Sequence, residues 1–297
     1  MAVCNSILAL IGKTPVVCLR HLSEGYGCVT PVWAKLEGMN PSGSLYDRAA
    51  LFTLREAIAG GQLREDGTIL LQQGGALAKS YALCAAALGL KCSLVVPDDT
   101  PARLAEDLKQ YGAEVTYYPA GDPEAAGRRA ELLRQRREYC WEPPVWNNEA
   151  ACQAHRETTA REILEELPAL TDLVCGSYTG AAVTGLGEKL KQELAELRVI
   201  CAEPAESAVI SGGAAGPSPI SGFGAGTVPE NLNPFVLDEV VRVKAADAKL
   251  VAGELAAQEG ILCREADGAA LCAALDLACR PESEGRTVLV VLPTAGR

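Results

Sequence analysis

Short runs of apolar and β-branched residues alternate along this chain with longer segments of helical period. Alternation of this kind predicts an α/β fold with mainly parallel sheets flanked by helices. We predict strands at 16–19, 32–35, 68–71, 92–96, 114–118, 173–175, 198–202, 239–243 and 287–292. We predict helices at 45–59, 79–88, 101–111, 123–137, 149–166, 184–194, 246–258 and 268–279. With 297 residues, the chain is long enough to form two such lobes.

Composition narrows the classes of protein to which the chain can belong. Hydrophobic residues make up 48% of the sequence, as expected for a protein with a sizeable core. The formal net charge is -11 and the basic residues are scattered, so we expect no nucleic-acid partner. No apolar run approaches the roughly 20 residues that span a bilayer, and the opening residues lack a basic region followed by a long apolar core. We therefore expect a soluble, cytoplasmic protein without a membrane partner.

The twelve cysteines indicate a reducing environment rather than a disulfide framework. Most of them lie singly among Ala, Leu and Val, as Cys84 does, which is typical of small buried apolar side chains. The sequence has no Cys-x-x-Cys pair, and its two histidines are His21 and His155. We therefore expect no zinc or other metal site.

The most distinctive motif is the segment 40–48, which reads Asn-Pro-Ser-Gly-Ser-Leu-Tyr-Asp-Arg. It closely resembles the motif in which cysteine synthases, among the fold-type II (tryptophan synthase β-like) enzymes that use pyridoxal phosphate (PLP), present their catalytic lysine. The family's lysine binds the aldehyde of PLP, and Tyr46 stands at its position here. A phenol cannot form an imine with an aldehyde, so the covalent anchor of PLP is missing from its expected place. Ser44, followed three residues later by Asp47, predicts a helix N-cap and places Tyr46 in the first helical turn.

The resemblance to cysteine synthases extends over nearly the whole chain, from residues 11–15 to residues 290–293. Residues 222–232 are nearly a full match to the family's glycine-rich loop beside the active-site cleft. The resemblance implies a larger lobe formed by 1–37 and 149–297, a smaller mobile lobe formed by 38–148, and a cleft between them. It also implies a homodimer, because active members of the family are homodimers that make cysteine from O-acetylserine and sulfide.

Two loops that hold ligands in the family are altered here. The substrate loop, Thr-Ser-Gly-Asn-Thr-Gly in the family, reads Gln-Gly-Gly-Ala-Leu-Ala at 73–78. The resemblance leaves substrate-binding positions at Gly74, Gly75 and Gly224, whereas Ala76 replaces the asparagine that contacts the cofactor. The phosphate loop opens a helix whose dipole and amides hold the PLP phosphate. It reads Tyr-Thr-Gly-Ala-Ala here, and the resemblance implies cofactor-binding positions at Thr179, Gly180, Ala181 and Ala182.

Three further positions differ from the family's pattern. Tyr178 replaces a glycine where the backbone approaches the phosphate closely. Ala266 stands at the position of the family's serine, which binds the pyridine nitrogen of PLP. Alanine cannot make that bond. Asp267 could make it if the register differs by one residue. The family's Gln-Phe pair before the return to the larger lobe appears as Val145 and Trp146.

These differences lead to one principal hypothesis and two alternatives. The principal hypothesis is a catalytically degenerate cysteine synthase-like homologue that binds a partner protein or a small anionic metabolite in a vestigial cleft. Its partner could be an active paralogue in a heterodimer, or the C-terminal tail of a serine acetyltransferase-like protein. The first alternative is a PLP-dependent lyase or transferase of cysteine metabolism that holds PLP non-covalently or through Lys79. The second is a scaffold without a ligand. We expect Tyr46 to fill the space of the cofactor as an aromatic side chain, with an acid/base role or a partly exposed position as the alternatives.

Overall fold

The computed structural model describes residues 3–296 as an α/β protein with two sheets, each flanked by helices, which confirms the predicted fold class. The strands are β1 (Val16–Cys18), β2 (Val32–Leu36), β3 (Thr68–Leu71), β4 (Lys91–Pro97), β5 (Glu114–Tyr118), β6 (Cys140–Trp141), β7 (Asp172–Gly176), β8 (Arg198–Pro204), β9 (Glu239–Val243) and β10 (Val288–Leu292). The helices are α1 (Arg20–Gly25), α2 (Tyr46–Ala59), α3 (Gly75–Leu88), α4 (Ala102–Gln110), α5 (Pro123–Gln135), α6 (Glu149–Ala154), α7 (Ala160–Glu166), α8 (Ala181–Glu193), α9 (Ala245–Glu259) and α10 (Glu265–Ala278). Within residues 3–296, none of the helices is both long and apolar enough to cross a bilayer.

The larger sheet has the strand order β1-β2-β10-β7-β8-β9, and its pairings are parallel except that of β1 with β2. Strand β10 lies near the centre and is buried at every residue, with Val290 paired between Ala34 of β2 and Val174 of β7. Continuous apolar strands are expected where helices cover both faces of a parallel sheet. Apolar residues of α1, α9 and α10 form the core on one face, and those of α7 and α8 form it on the other.

The smaller sheet has the order β5-β4-β3-β6 and is parallel throughout. Its core joins the buried strands β3 and β4 to the helices α2 and α3. The sheet is built from residues 68–141, which lie within the smaller lobe that the resemblance implies. Strand β6 is absent from the sequence prediction because it has only two residues, too few to show the alternation of a strand.

Several helices differ from the prediction in where they begin or in their continuity. Helix α3 begins at Gly75 rather than at 79, and α8 begins at Ala181 rather than at 184. Each follows a glycine with non-helical backbone, Gly74 and Gly180 respectively. The helix predicted at 149–166 is divided into α6 and α7 by a wider π-helical turn, His155–Thr159.

A partly buried ionic network fastens the start of α2 to the larger sheet and to α7. The guanidinium of Arg48 lies 2.7 Å from a carboxylate oxygen of Glu37 and 2.6 Å from one of Glu162. The ammonium of Lys35 lies 3.1 Å from Glu162 and 2.7 Å from Glu166. Burial raises the pKa of Glu162, but the hydrogen bonds and charge of Arg48 outweigh it and lower that pKa to about 2. Since buried charges are costly unless paired, Arg48 has a structural role that does not depend on catalysis.

Candidate functional site

A small cavity lies at the C-terminal edge of the larger sheet, where the chain leaves β7 and β10. Open α/β sheets bind ligands at this edge because loops and helix N-termini converge there. The lining combines the start of α2, the β7–α8 connection, the 222–223 loop, the start of α10 and the end of β10. The lining residues are Leu45, Tyr46, Cys175, Gly176, Ser177, Tyr178, Thr179, Gly180, Ala182, Val183, Gly222, Phe223, Ala266, Val291 and Pro293. The cavity volume is about 40 Å³, which is room for about three water molecules at roughly 10–15 Å³ each.

Tyr46 is the first residue of α2, and its half-buried side chain lines the cavity. Its position in the first turn is therefore confirmed, but the predicted capping pattern is wrong. The N-cap is Leu45, and the hydroxyl of Ser44 accepts a hydrogen bond from the Tyr46 N–H at 3.2 Å. Asp47 does not close a capping box, because its carboxylate turns back to the preceding loop and accepts the N–H of Ser42 at 2.8 Å.

The loop before α2 is held by the C-terminal segment of the chain. The N–H of Leu45 donates to the carbonyl of Pro293 at 2.9 Å, and the N–H of Ala295 donates to the carbonyl of Gly43 at 2.9 Å. An isolated antiparallel bridge lies between these two bonds. The backbone that presents Tyr46 is thus fixed on one side by the end of β10.

Ala266 lines the cavity, whereas the neighbouring Asp267 is engaged elsewhere. The fully buried carboxylate of Asp267 accepts the N–H of Thr294 at 2.8 Å, the hydroxyl of Thr294 at 2.6 Å and the N–H of Arg264 at 2.9 Å. Burial raises the pKa of Asp267 to about 6, although these hydrogen bonds oppose the change. Asp267, which the resemblance offered as a partner for a pyridine nitrogen, instead fastens the C-terminal segment to α10.

The β7–α8 connection forms a wall of the cavity and leads into a helix N-terminus. Gly180 has a φ of +81°, and a Cβ atom on it would lie 2.9 Å from the backbone nitrogen of Leu232. The side-chain amide of Asn231 donates to the carbonyls of Thr179 and Val145, both at 2.9 Å, and so supports the turn from behind. The N–H groups at the start of a helix carry partial positive charge, so this end of the cavity favours an anion.

Two tyrosines face the cavity as neutral phenols. The ring of Tyr178 meets that of Trp146 edge-on, with centroids 5.3 Å apart and an interplanar angle of 64°. Burial raises the pKa of Tyr46 far above its ordinary value, and the nearby Tyr178 and Asp267 raise it further. Burial also raises the pKa of Tyr178. Both side chains therefore offer a hydroxyl and apolar surface at neutral pH, and neither is a base.

The structure brings together part of the site that the resemblance implies. The predicted residues that line the cavity are Tyr46, Thr179, Gly180, Ala182 and Ala266. Within the described chain, the predicted residues outside the lining are Gly74, Gly75, Ala76, Ala181 and Gly224. Gly224 nevertheless supports the wall, since its N–H donates to the carbonyl of Ser177 at 2.8 Å. The sequence did not indicate that Phe223 or Pro293 lines the cavity. The available indications are that Phe223 belongs to the glycine-rich loop and that Pro293 directly follows β10.

Lys79, considered above for a relocated bond to PLP, lies in α3 and is not among the lining residues. Its ammonium is 2.7 Å from the carboxylate of Asp107 in α4, and both side chains are partly exposed. The described lining contains no lysine, arginine, aspartate or glutamate. Residues 3–296 also contain no group of His, Cys, Asp and Glu side chains suited to a metal ion. The site as folded therefore presents no amine nucleophile.

Known proteins resemble this chain over almost its entire length. The model of a family described as pyridoxal-phosphate dependent enzyme matches residues 7–294. A cysteine synthase of Staphylococcus aureus is 33% identical over 295 residues, which covers 98% of this chain and 94% of that protein. A crystal structure of a hydrogen sulfide-producing enzyme from Fusobacterium nucleatum matches with a TM-score of 0.95 and 30% identity, over 100% of this chain and 98% of that one. An O-ureido-L-serine-bound, lysine-to-alanine mutant of O-ureido-L-serine synthase matches with a TM-score of 0.89 and 32% identity, over 99% and 91% of the two chains.

Proposed function

This chain belongs to the family of pyridoxal-phosphate dependent enzymes as a homologue of cysteine synthases, and we propose that it acts by binding rather than by catalysis. In this proposal Tyr46 stands in place of the family's lysine, and the cavity beside it binds a small anionic metabolite of amino acid metabolism. The lining of the cavity carries the proposal. It combines a neutral tyrosine at the start of α2 with the N-terminus of α8, and its described residues include no amine.

The side chains present do not fit PLP. Covalent attachment needs an amine where Tyr46 lies, and the pyridine nitrogen needs a polar partner where Ala266 lies. Asp267 cannot serve as that partner while it is bonded to Thr294. The proposed function therefore involves no step on PLP.

A small anion fits the remaining features better. The N-terminus of α8 offers backbone donors, and the hydroxyls of Tyr46 and Tyr178 can donate because both phenols are protonated at neutral pH. Although the chain has a net charge of -11, no acidic side chain is among the described lining residues. The mutant of O-ureido-L-serine synthase supports the proposal by likeness, because that protein holds an amino acid ligand after a lysine has been changed to alanine.

Thermal unfolding with and without inorganic phosphate tests this anion site. Ala182→Glu places a carboxylate on the cavity lining in the first turn of α8, whereas Gln192→Glu adds the same charge at the exposed far end of the helix. At constant ionic strength, we expect millimolar phosphate to raise the unfolding temperature of the wild type and of Gln192→Glu, but not of Ala182→Glu. Equal shifts in all three proteins, or no shift in the wild type, would refute the proposal.

A second candidate function is a PLP-dependent lyase or transferase of amino acid metabolism, which the relatives favour because they are named as enzymes. Non-covalent binding of PLP requires that the side chains of Tyr46 and Tyr178 turn out of the cavity. Covalent binding requires that Lys79 breaks its ion pair with Asp107 and bonds to PLP instead. Incubation with PLP, followed by an assay of cysteine formation from O-acetylserine and sulfide, distinguishes the two functions. Turnover by a yellow protein supports the enzyme, and a colourless, inactive protein supports binding.

Binding of a partner protein is a narrower form of the proposal. A C-terminal carboxylate is an anion that backbone N–H groups can hold, so the tail of a serine acetyltransferase-like protein would bind at the start of α8. A peptide with a free C-terminus should then compete with phosphate, and its C-terminally amidated form should not. Failure of the free-acid peptide to compete would exclude this partner. We also propose a homodimer, or a heterodimer with an active paralogue, which analytical ultracentrifugation would detect.

A further inference from the structure

Two cysteine thiols at the end of α10 opposite the cavity lie close enough to react with each other. The sulfur atoms of Cys28 and Cys279 are 3.2 Å apart, although the residues are 251 positions apart in the sequence. We propose that this pair is a reversible oxidation site for small-molecule disulfides. Its oxidation links the loop after α1 covalently to the C-terminal end of α10, and it is independent of the proposed binding function.

The backbone around the two cysteines holds their thiols close to each other. Cys28 follows a turn at Gly27, which has a φ of +70°, and Cys279 is the C-cap residue of α10. Next to this pair, the N–H of Val29 donates to the carbonyl of Ala278 at 3.0 Å. A disulfide bond has a sulfur–sulfur distance of about 2.05 Å, so the two atoms need to approach by only about 1.2 Å. Small rotations about the side-chain bonds, with a slight shift of the exposed loop, can supply this movement.

Both thiols are partly exposed, in contrast to buried cysteines such as Cys84 and Cys175. The sulfur of Cys279 lies 3.5 Å from the carbonyl of Tyr26 at the protein surface, where a small reagent can reach it. Burial raises the pKa of Cys28 to about 12, and the hydrogen bond with Cys279 contributes to the rise. Because the thiolate is the reactive form, this rise disfavours Cys28 as the first nucleophile, and we assign the first attack to Cys279, whose sulfur lies at the surface.

The reaction consumes one small-molecule disulfide, for example glutathione disulfide. The thiol of Cys279 releases its proton, and the thiolate attacks one sulfur of glutathione disulfide, so that one glutathione leaves as a thiolate. The thiol of Cys28 then releases its proton, and its thiolate attacks the sulfur of Cys279 and displaces the second glutathione. The two leaving thiolates take up the two protons. The protein thus loses two electrons, and the small disulfide is reduced to two thiols.

A redox titration with reduced and oxidised glutathione, followed by an acid quench, alkylation and tryptic peptide mapping, tests the proposal. Trypsin releases Cys28 in peptide 21–35 and Cys279 in peptide 265–286, because the bond after Arg280 precedes a proline. We expect these two peptides to be disulfide-linked in the oxidised wild type. The link should persist in Cys272→Ala, which removes the other cysteine of the second peptide, and should be absent from Cys28→Ser, which should carry glutathione on Cys279 instead.

Stability provides a second readout. Oxidation should raise the unfolding temperature of the wild type by about 3–8 °C, since the bond closes a loop of most of the chain, and should not raise that of Cys28→Ser. The wild-type peptide map decides the proposal even if a variant fails to fold. Alkylation marks a thiol that stayed reduced. The proposal is overturned if Cys28 and Cys279 are both alkylated at a glutathione ratio that already places glutathione on the exposed Cys4. A link from Cys279 to any other cysteine would overturn it as well.

Discussion

Replacement of Arg48 by methionine removes a cation that is shared by the buried carboxylate of Glu37 and the partly exposed carboxylate of Glu162. Nε and Nη2 of Arg48 donate to Glu37 at 2.8 and 2.7 Å, and Nη1 and Nη2 donate to Glu162 at 2.6 and 2.8 Å. Methionine keeps an unbranched, flexible stem but provides no hydrogen-bond donor. The side chains of Arg48 and Glu37 have no exposed surface, so water cannot replace the lost bonds to Glu37 without local opening.

The expected loss of stability follows from two lines of reasoning. Removal of one partner from a buried ion pair costs about 3–5 kcal/mol, because the other charge is left unpaired. The pKa of Glu162 falls from 4.5 to about 2 in the folded protein, chiefly through Arg48 and to a smaller extent through the N–H of Lys13 and the charge of Lys35. At about 1.36 kcal/mol per pKa unit the whole change corresponds to at most about 3 kcal/mol, because Glu162 is partly screened by solvent. We therefore expect Arg48→Met to lower the free energy of unfolding at neutral pH by about 3–5 kcal/mol.

The size of this loss should depend on pH. The pKa of Glu162 is lower in the folded than in the unfolded protein. Its stabilising contribution is therefore fully present above about pH 4.5 and is lost as the pH falls through about 2. The difference in stability between the wild type and Arg48→Met should thus be largest near neutral pH and should shrink in acid.

Urea denaturation at neutral pH and at about pH 3.5, followed by circular dichroism, measures both effects. Arg64→Met is the matched control, because Arg64 pairs with Asp66 at the surface with side-chain exposures of 58% and 63%. Loss of such a pair should cost less than about 1 kcal/mol. A loss at Arg48 as small as this, or one that is equal at both pH values, would refute the inference that this arginine is retained for the scaffold.

We expect Tyr46→Lys with added PLP to form no cysteine from O-acetylserine and sulfide, because Ala76 and Ala182 remain at positions where the resemblance implies contacts to the cofactor or its phosphate, and measurable turnover would show that the rest of the site is intact. Among the described residues, His155 is buried without a partner for Nε2, and burial lowers its pKa to about 4. Its contribution to stability is therefore complete above about pH 6.5 and is lost as the pH falls through about 4. In urea denaturation over this range, His155→Gln should remove roughly 3 kcal/mol of the pH dependence, and an unchanged pH dependence would contradict this. Gly180→Ala should lower the free energy of unfolding by about 1–3 kcal/mol more than Gly212→Ala, because both have positive φ but only the first would place a Cβ atom against backbone, and equal losses would contradict this.

Local sequence patterns predict the larger elements well and the short ones poorly. The strand at 68–71 is found at its predicted residues, because a compact apolar run is bounded there by polar and glycine-containing turns. The two-residue strand β6 carries no recognisable period. The start of α3 at Gly75 is also hidden, because glycine is a poor helix former and the residue has a positive φ. The π-helical turn within the predicted helix 149–166 has no sequence signal that we recognise.

The cavity could be located from the sequence only through resemblance. Tyr46, Thr179 and Ala266 lie far apart along the chain, and periodicity does not indicate that their side chains meet. Cys28 and Cys279 illustrate the same difficulty, because they are 251 positions apart and only the fold brings the two sulfur atoms within 3.2 Å. Local sequence patterns do not indicate which chemically ordinary residues, distant along the chain, lie close together in the folded protein.

Our proposal that Tyr46 stands in place of the family's lysine is tested most directly by mass spectrometry after incubation with PLP and reduction with borohydride, which fixes any imine as a stable pyridoxyl group. We predict that peptide mapping finds no stoichiometric pyridoxyl group on any lysine of the wild type. One pyridoxyl group per chain on a single lysine, whether Lys79 or another, would contradict the central claim.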